Sequence, residues 1–415
     1  MSYVADLHLH SRYARGVSPQ LSLETLAQGA RTKGIDLLAT GDFTHPQWLK
    51  ELHAKLRPEP DGLLSFDGVR FVLGAEISCV YQQGGRTHRV HLLLYAPDFD
   101  VVERLCAALR RWGNLASDAR PTLTLSSHDL LTLALETDPG CIVVPAHAWT
   151  TWFSVYGSIG GFDSLADCFD DLLPYVTAIE TGLSSDPAMN WRVLELDGMT
   201  IVSYSDAHSA SRMGREATVF TGELSYEGYR RALRENAVAY TIEFHPEEGK
   251  YHYDGHRACG VIQTPQITVE RGDCCPACGR RLTVGVAYRI ERLAKRPDSS
   301  WMDEDGLIRN AGSSRPPFKR LVPLEEVTAE ALGRGVATKG MQAVYRRAIE
   351  QLGPELPILE SVPVVEIARV AGERVAEGVS RVRRGQLVIE PGYDGVYGRV
   401  HIWPEKKRKA EAQLR

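Results

Sequence analysis

His8 and His10 stand one residue apart in Asp6-Leu7-His8-Leu9-His10, on the first apolar run of the chain. In an extended segment residues i and i+2 face the same side, so both imidazoles can reach one metal ion. Neutral imidazole is the commonest protein ligand for zinc and related metals. A pair alone reads equally well as two buried, hydrogen-bonded histidines, and further ligands in comparable places must decide. They recur where other apolar runs end: Asp42, Glu76, His91, His147, Glu180, then Asp206 and His208. Carboxylates and imidazoles repeated at strand ends are what a polynuclear metal site at the mouth of an α/β fold requires. His45, His53 and His128 fall in loop or helix contexts and read as surface residues. His88 rivals His91 as a ligand; His91 is preferred because it opens the apolar run 92–95.

These residues need a scaffold that brings strand ends together. Short apolar runs at 4–10, 37–42, 70–78, 89–95, 141–147, 176–181 and 200–205 predict strands. Between them, 22–33, 46–56, 101–112 and 128–136 have helical spacing of apolar residues, with Gly34 and Pro46 as stop and start signals. Such alternation predicts a largely parallel sheet, open or closed, with chemistry at the carboxyl ends of its strands. Beyond residue 240 the texture changes to a loop-rich stretch. Helices are then predicted at 324–333, 341–352 and 364–383, followed by a short β segment at 386–403 and a charged tail at 405–415. The expected division is 1–240, 241–295 and 296–415.

The 415 residues suffice for a large core and more than one domain. Apolar residues make up 43% and charged residues 24%, as in ordinary globular proteins, and no run is apolar enough to span a bilayer. The polar first strand is unlike a signal peptide, so a cytoplasmic, nucleoid-associated protein without membrane contact is expected. The net charge of −5 conceals an asymmetry. Residues 1–240 carry 20 Lys and Arg against 29 Asp and Glu, and residues 241–415 carry 28 against 24. The acidic half suits metal ligation and the more basic half a polyanion.

Cysteine use divides the chain in the same way. Cys79, Cys106, Cys141 and Cys168 sit in apolar or mixed contexts, whereas Cys259, Cys274, Cys275 and Cys278 cluster. His256-x-x-Cys259-Gly260 and Cys275-x-x-Cys278-Gly279 have the same spacing and the same trailing glycine, with 15 residues between the inner cysteines. Two such pairs supply four ligands for a tetrahedral structural Zn2+. His252 and Cys274 compete with His256 for the fourth position. Arg280 and Arg281, and basic groups at Arg315, Lys319, Arg320, Arg334, Lys339, Arg381, Arg383 and Arg384, could meet phosphates, with Tyr345, Tyr393 and Tyr397 as stacking candidates. Solvated helix faces and core packing explain the same residues without nucleic acid.

Taken in order, His8-x-His10, Thr40-Gly41-Asp42, Glu76, His91, Pro145-Ala146-His147 and Ser205-Asp206-Ala207-His208 resemble the polymerase-and-histidinol-phosphatase (PHP) family over residues 1–240. The resemblance implies a distorted (β/α)7 PHP barrel with up to three metal ions, followed here by a small Cys/His zinc-binding element and a mainly helical C-terminal domain. It implies that His8, His10, Glu76 and Asp206 bind one metal. Glu76 would bridge to a second, held also by His91 and His147, and Asp42 and His208 would help to hold a third. Glu76, His147, Asp206 and His208 would then carry catalysis. Mixed imidazole and carboxylate ligands suit zinc, manganese or iron better than magnesium alone, so Zn2+ is expected at the cluster, with Mg2+ or Mn2+ as alternatives. Two departures stand out: Asp42 occupies a place where most members have histidine, and Ser11-Arg12-Tyr13-Ala14-Arg15 lacks the histidine many members carry there.

The whole arrangement, ending in Glu390-Pro-Gly-Tyr-Asp-Gly-Val-Tyr-Gly398, resembles the endonuclease Q family. So do His10-Ser-Arg-Tyr-Ala-Arg-Gly-Val-Ser18, Thr181-Gly-Leu-Ser-Ser-Asp-Pro187, Met189-Asn-Trp-Arg192 and Met213-Gly-Arg-Glu216. This implies a DNA repair endonuclease that hydrolyses the phosphodiester 5′ to uracil, hypoxanthine, xanthine and abasic sites, leaving 3′-hydroxyl and 5′-phosphate ends. Its partners would be such DNA and a replication or repair clamp. Arg12, Arg15 and Arg215 are candidates for phosphate contact, and Ser184, Asp186, Asn190 and Trp191 for a base pocket. Two other readings compete. A small-molecule phosphatase of histidinol-phosphate type needs only residues 1–240, and a non-catalytic nucleic-acid adaptor would have lost ligands that this chain retains.

Overall fold

Gly84 and Gly85 turn the longest strand back on itself. In the computed structural model, which describes residues 1–404, Val69–Gln83 and Arg86–Ala96 pair antiparallel from Leu73 opposite Ala96 to Gln83 opposite Arg86. Both glycines have positive φ, 57° and 76°, the backbone that a two-residue hairpin turn requires. This corrects the expectation of a largely parallel sheet. Ser2–Asp6, Leu37–Ala39 and Val69–Gln83 run parallel, but Arg86–Ala96 is antiparallel to both Val69–Gln83 and Ile142–Pro145. The expected tail at 405–415 lies outside the described residues.

Ala178–Glu180 and Thr200–Val202 form a parallel pair, joined to Ile142–Pro145 by the Ala148 N–H donating to the Glu180 carbonyl at 2.9 Å. Beyond Thr200–Val202 the chain returns to the first strand. The Asp6 carboxylate accepts from the Ser205 and Gly214 N–H groups, both at 2.9 Å, and Leu9 bridges Ala207. The ends of all these strands thus converge on one centre. His8 and His10 lie just past the end of the first strand rather than inside it. Helices Leu23–Lys33, Phe99–Leu109 and Ser127–Thr137 cover the strands, each opened by a side-chain cap: Ser22, Asp98 and Ser126.

On its other edge Ser2–Asp6 pairs antiparallel with Ala217–Thr221, followed by Val238–Glu243, Phe318–Arg320 and the hairpin Ser300–Met302/Ile308–Asn310. The result is a thirteen-stranded mixed sheet among the described residues. It runs across both expected boundaries, at 240 and at 295, because backbone pairing needs no contiguity in sequence. The C-terminal region is helical as expected. Its last long helix is two, Val364–Ala371 and Glu373–Arg383, broken by Gly372 at φ 99°, a conformation that costs a side-chain-bearing residue dearly. Val388–Glu390 and Arg399–His401 make the closing β pair. Lys33 of the sheet-covering helix meets Glu355 of the C-terminal region at 2.7 Å, both 4% exposed. Among the described residues no helix is long and apolar enough to cross a membrane.

Candidate metal centre and adjoining cavity

Three groups of donor atoms crowd the convergence of strand ends: His8, His10 and Glu76; Glu76, His91 and His147; and His10, Asp206 and His208. Within each group the atoms lie within 4.8 Å of one another. Glu76 belongs to two groups. One of its oxygens is 3.2 Å from His10 Nε2 and 3.6 Å from His8 Nε2. The other is 2.6 Å from His91 Nδ1 and 3.0 Å from His147 Nε2. Asp206 Oδ1 lies 3.2 Å from His10 Nε2 and 3.6 Å from His8 Nε2. His8 Nε2, His10 Nε2 and Asp206 Oδ1 are buried, without a hydrogen-bond partner, and aimed at one another. Buried polar atoms are rarely left so, and a divalent cation bound by them would satisfy all three.

The electrostatics agree. Burial opposes charge on His8 and His10, yet Glu180, Asp206 and Glu76 around His8, and Asp42, Asp206 and Glu76 around His10, hold both well above ordinary imidazole values. The centre draws in positive charge. Burial alone would raise Glu76, but His91, His8, His10 and His147 keep it well below the usual carboxylate range. Burial pushes His91 down to about 4, leaving a neutral imidazole fit for ligation.

Backbone strain marks the same places. Asp42, His147 and Asp206 have φ of 53°, 30° and 46°, a region that residues with a Cβ seldom occupy and that concentrates at functional sites. Two glycines allow the close approach. A Cβ at Gly41 would sit 2.3 Å from the Leu9 carbonyl oxygen, and one at Gly182 would sit 2.4 Å from His147 Cβ.

Asp42 occupies a different place from the one expected. It accepts from the Ser11 N–H at 2.5 Å and contacts His10 Nδ1 at 3.1 Å, behind the imidazole, so its carboxylate stands outside the donor groups and orients the His10 ring. Glu180 does the same for His8, at 2.9 and 3.0 Å from Nδ1, and accepts from the His147 N–H at 2.6 Å. Its position at a strand end was visible in sequence, but its partner 172 residues away was not. Nothing in sequence pointed to Arg120, whose guanidinium is 3.2 Å from Glu76. His91 is the ligand candidate brought into the centre, whereas His88 stacks on Phe162 with ring centroids 3.9 Å apart.

The remaining expectations divide. His256, Cys259, Cys275 and Cys278 form one four-donor group, with Cys278 Sγ 3.3 Å from His256 Nδ1. Gly260 and Gly279 take the expected left-handed φ of 65° and 73°. Cys274 and His252 lie outside the group. Three of the base-pocket candidates are structural instead. Asp186 caps Pro187–Asn190 and is ion-paired with Arg320. Asn190 accepts from Trp149 Nε1 at 2.7 Å and donates to the Asp186 carbonyl at 2.8 Å. Trp191, 3% exposed, packs on Phe318. A polar stretch after a strand end suggested solvent; the added strand Phe318–Arg320 and its neighbours bury it. Arg12 is ion-paired with Glu51 at 2.6 Å, and Arg15 is largely exposed. Several expected phosphate contacts are also engaged within the fold: Arg315 on Asp197, Arg381 on the Ile402 carbonyl, Arg383 on the carbonyls of 358, 359 and 362.

Ser184 and Arg215 line a cavity of about 750 Å3 beside the donor groups. Thr150, also on its wall, is 3.1 Å from His147 Nδ1, and Arg215 donates to the carbonyls of Ser205 at 2.9 Å and Asp206 at 3.4 Å. The cavity therefore adjoins the centre, sharing Thr150 and Arg215 as contacts. Its rim carries Trp152 and Tyr397, 37% and 69% exposed.

Residues 323–386 match a family model described as the MJ0043 C-terminal domain. The MJ0043 protein of Methanocaldococcus jannaschii is 30% identical over 285 residues, which span 66% of this chain and 34% of that protein, so the match covers about a third of the relative. Two solved structures superimpose along nearly the whole chain, each with a TM-score of 0.84 and 32% identity. One is the lesion-specific endonuclease PfuEndoQ of Pyrococcus furiosus, with 98% of this chain and 96% of that one covered. The other is endonuclease Q in complex with a 27-mer duplex substrate carrying an abasic lesion at the active site, with 99% and 98% covered.

Proposed function

Because this chain belongs to the endonuclease Q family, we propose that it is a metal-dependent DNA repair endonuclease. It hydrolyses the phosphodiester 5′ to a deaminated base or an abasic site and leaves 3′-hydroxyl and 5′-phosphate ends. The observation that carries this reading is the juxtaposition of donor groups sharing Glu76 with a cavity that reaches them through Thr150 and Arg215. His8, His10, Glu76 and Asp206 would hold one ion, and Glu76, His91 and His147 a second. His10, Asp206 and His208 form a third donor group. Bound divalent ions supply an activated water at neutral pH and charge stabilisation for the phosphodiester oxygens. A base inside a duplex must leave the stack to be read, and a mispaired base costs less to extrude. The cavity receives it, with Trp152 and Tyr397 as stacking faces at the rim.

Asp42 and Glu180 keep His10 and His8 in the orientation that points Nε2 inward. Partners of this kind are typically worth about 10–100-fold in metal affinity or activity. Glu180→Gln should therefore weaken metal binding and slow nicking by roughly that factor, checked by titrating metal into the stripped protein. The second donor group, His256, Cys259, Cys275 and Cys278, is read as a structural zinc. Cys275→Ser should release one equivalent of zinc and lower the melting temperature by about 5 °C, with metal analysis and calorimetry as the checks.

The deciding experiment compares nicking of duplexes carrying one uracil, one hypoxanthine or one abasic site with hydrolysis of small phosphate monoesters. Nicking at the lesions is expected. Hydrolysis of monoesters alone would mean a small-molecule phosphatase, and neither activity would mean a binding module.

A further inference from the structure

Glu248 lies on the wall of the cavity, in the short turn Pro246–Glu248. Its backbone is held firmly: the Glu248 N–H donates to the His245 carbonyl at 2.9 Å, and its own carbonyl accepts from the Gly398 N–H at 3.1 Å. Gly392 N–H to Glu247 O and Gly395 N–H to Lys250 O, both at 2.8 Å, fix the flanking residues. The loop 390–398 thus serves as a brace for one wall of the cavity. The Glu248 carboxyl itself has no hydrogen bond or ion pair with any described residue. The nearby cations are already committed. Arg212 is paired with Glu326 at 2.6 Å, Arg215 donates to the Ser205 carbonyl, and Lys250 lies over the rings of Tyr251 and Tyr397.

Resting on the endonuclease reading, we propose that Glu248 binds the extruded base, donating its carboxyl O–H to the base carbonyl and accepting the neighbouring ring N–H. Uracil, hypoxanthine and xanthine each present such a carbonyl beside a ring N–H, whatever the size of the ring. An un-ionised carboxyl matches both positions with two parallel hydrogen bonds, whereas a carboxylate would face the carbonyl with a second acceptor. Burial, with Glu326 and Glu247 close by, pushes the Glu248 carboxyl up to about 8 against the opposing pull of Arg212 and Arg215. His252, the remaining titratable wall residue near it, is driven toward the neutral form by burial. The acid is therefore neutral at physiological pH and ionises above it. This pairing gives affinity for the lesion edge. Discrimination against the normal bases, of which thymine and guanine present the same carbonyl beside a ring N–H, rests on the cost of opening their pairs.

An abasic site has no base to bind, so it separates this contact from the chemistry. The readout is the ratio of nicking rates at uracil or hypoxanthine to that at an abasic site, measured from pH 6 to 9 with the full-length protein. The wild-type ratio should be flat below pH 8 and fall roughly tenfold by pH 9 as the acid ionises. Glu248→Ala should lower the ratio by about 10–100-fold at pH 7, the loss of two hydrogen bonds. In Glu248→Gln the ratio should no longer fall above pH 8, since an amide also offers a donor and an acceptor and does not titrate. With abasic nicking present, an unchanged ratio in Glu248→Ala, or an equal loss at all three lesions, overturns the assignment of Glu248 alone. Failure of the wild-type protein to nick any of the three would instead overturn the endonuclease reading on which it rests.

Discussion

Glu76→Gln should reduce nicking by about 1,000-fold or more while leaving DNA binding within severalfold of the wild type. Glu76 supplies an oxygen to each of two donor groups, His8 with His10 on one side and His91 with His147 on the other. The amide removes a negative charge from a fully buried centre and replaces one of the two acceptor oxygens with a donor. Arg120, now 3.2 Å from the carboxylate, would face an amide and add uncompensated positive charge. Metal-ion catalysis is worth several kcal/mol of transition-state stabilisation, and each 1.4 kcal/mol is tenfold in rate. Single-turnover nicking and gel-shift titration on the same abasic duplex separate the two effects. Retention of more than a tenth of the rate would remove Glu76 from its bridging place.

Lys33→Met should destabilise the protein by about 3–5 kcal/mol, the usual cost of leaving one member of a buried ion pair without its partner. Lys33 belongs to the helix Leu23–Lys33 and Glu355 to Glu355–Glu360, 322 residues later. Glu355 also accepts from Tyr345 Oη at 2.6 Å and the Leu324 N–H at 3.1 Å, so it fastens three parts of the C-terminal region to the sheet-covering helix. In the single mutant these donors remain around a carboxylate that has lost its counter-ion. Lys33→Met/Glu355→Gln should recover much of the loss, because the side-chain amide is neutral: its oxygen still accepts from the Leu324 N–H, and its NH2 can donate to the Tyr345 hydroxyl, which also accepts. Urea unfolding followed by tryptophan fluorescence reads both variants. Equal midpoints for the single mutant and the wild type would show that the pair contributes nothing to docking of the helical region.

The site was legible to the extent that it rests on short spacing. His8-x-His10 reads directly, because the single residue between them, Leu9, bridges Ala207 and both rings meet in one donor group. His256-x-x-Cys259 and Cys275-x-x-Cys278 read directly for the same reason, each pair lying in one tight turn with its glycine in the left-handed region. The β hairpin at Gly84-Gly85 was written in the sequence as well. The rhythm of alternating strands and helices overshadowed it and suggested parallel strands on both sides.

Elsewhere local pattern misled, because burial is a property of what packs on a residue and not of the residue. Asp186, Asn190 and Trp191 look like pocket residues in sequence. They lie under a strand contributed from 318–320, and their polar groups are spent on a helix cap, a tryptophan N–H and an arginine. Asp42 looks like a ligand, yet it stands behind His10, since only the direction of its side chain tells a ligand from its support.

Residue types at strand ends, with the spacing of the cysteines, were thus sufficient to say that this chain gathers candidate metal donors in two places. Tertiary structure alone decided which oxygens face the centre, which carboxylates stand behind the histidines, and where a cavity opens beside them. The physical reason is reach. Spacing along the chain governs contacts within a turn or a strand, whereas His8 with Glu180, Glu76 with Arg120 and Lys33 with Glu355 meet across 172, 44 and 322 residues. Those distances are closed by packing of the whole core.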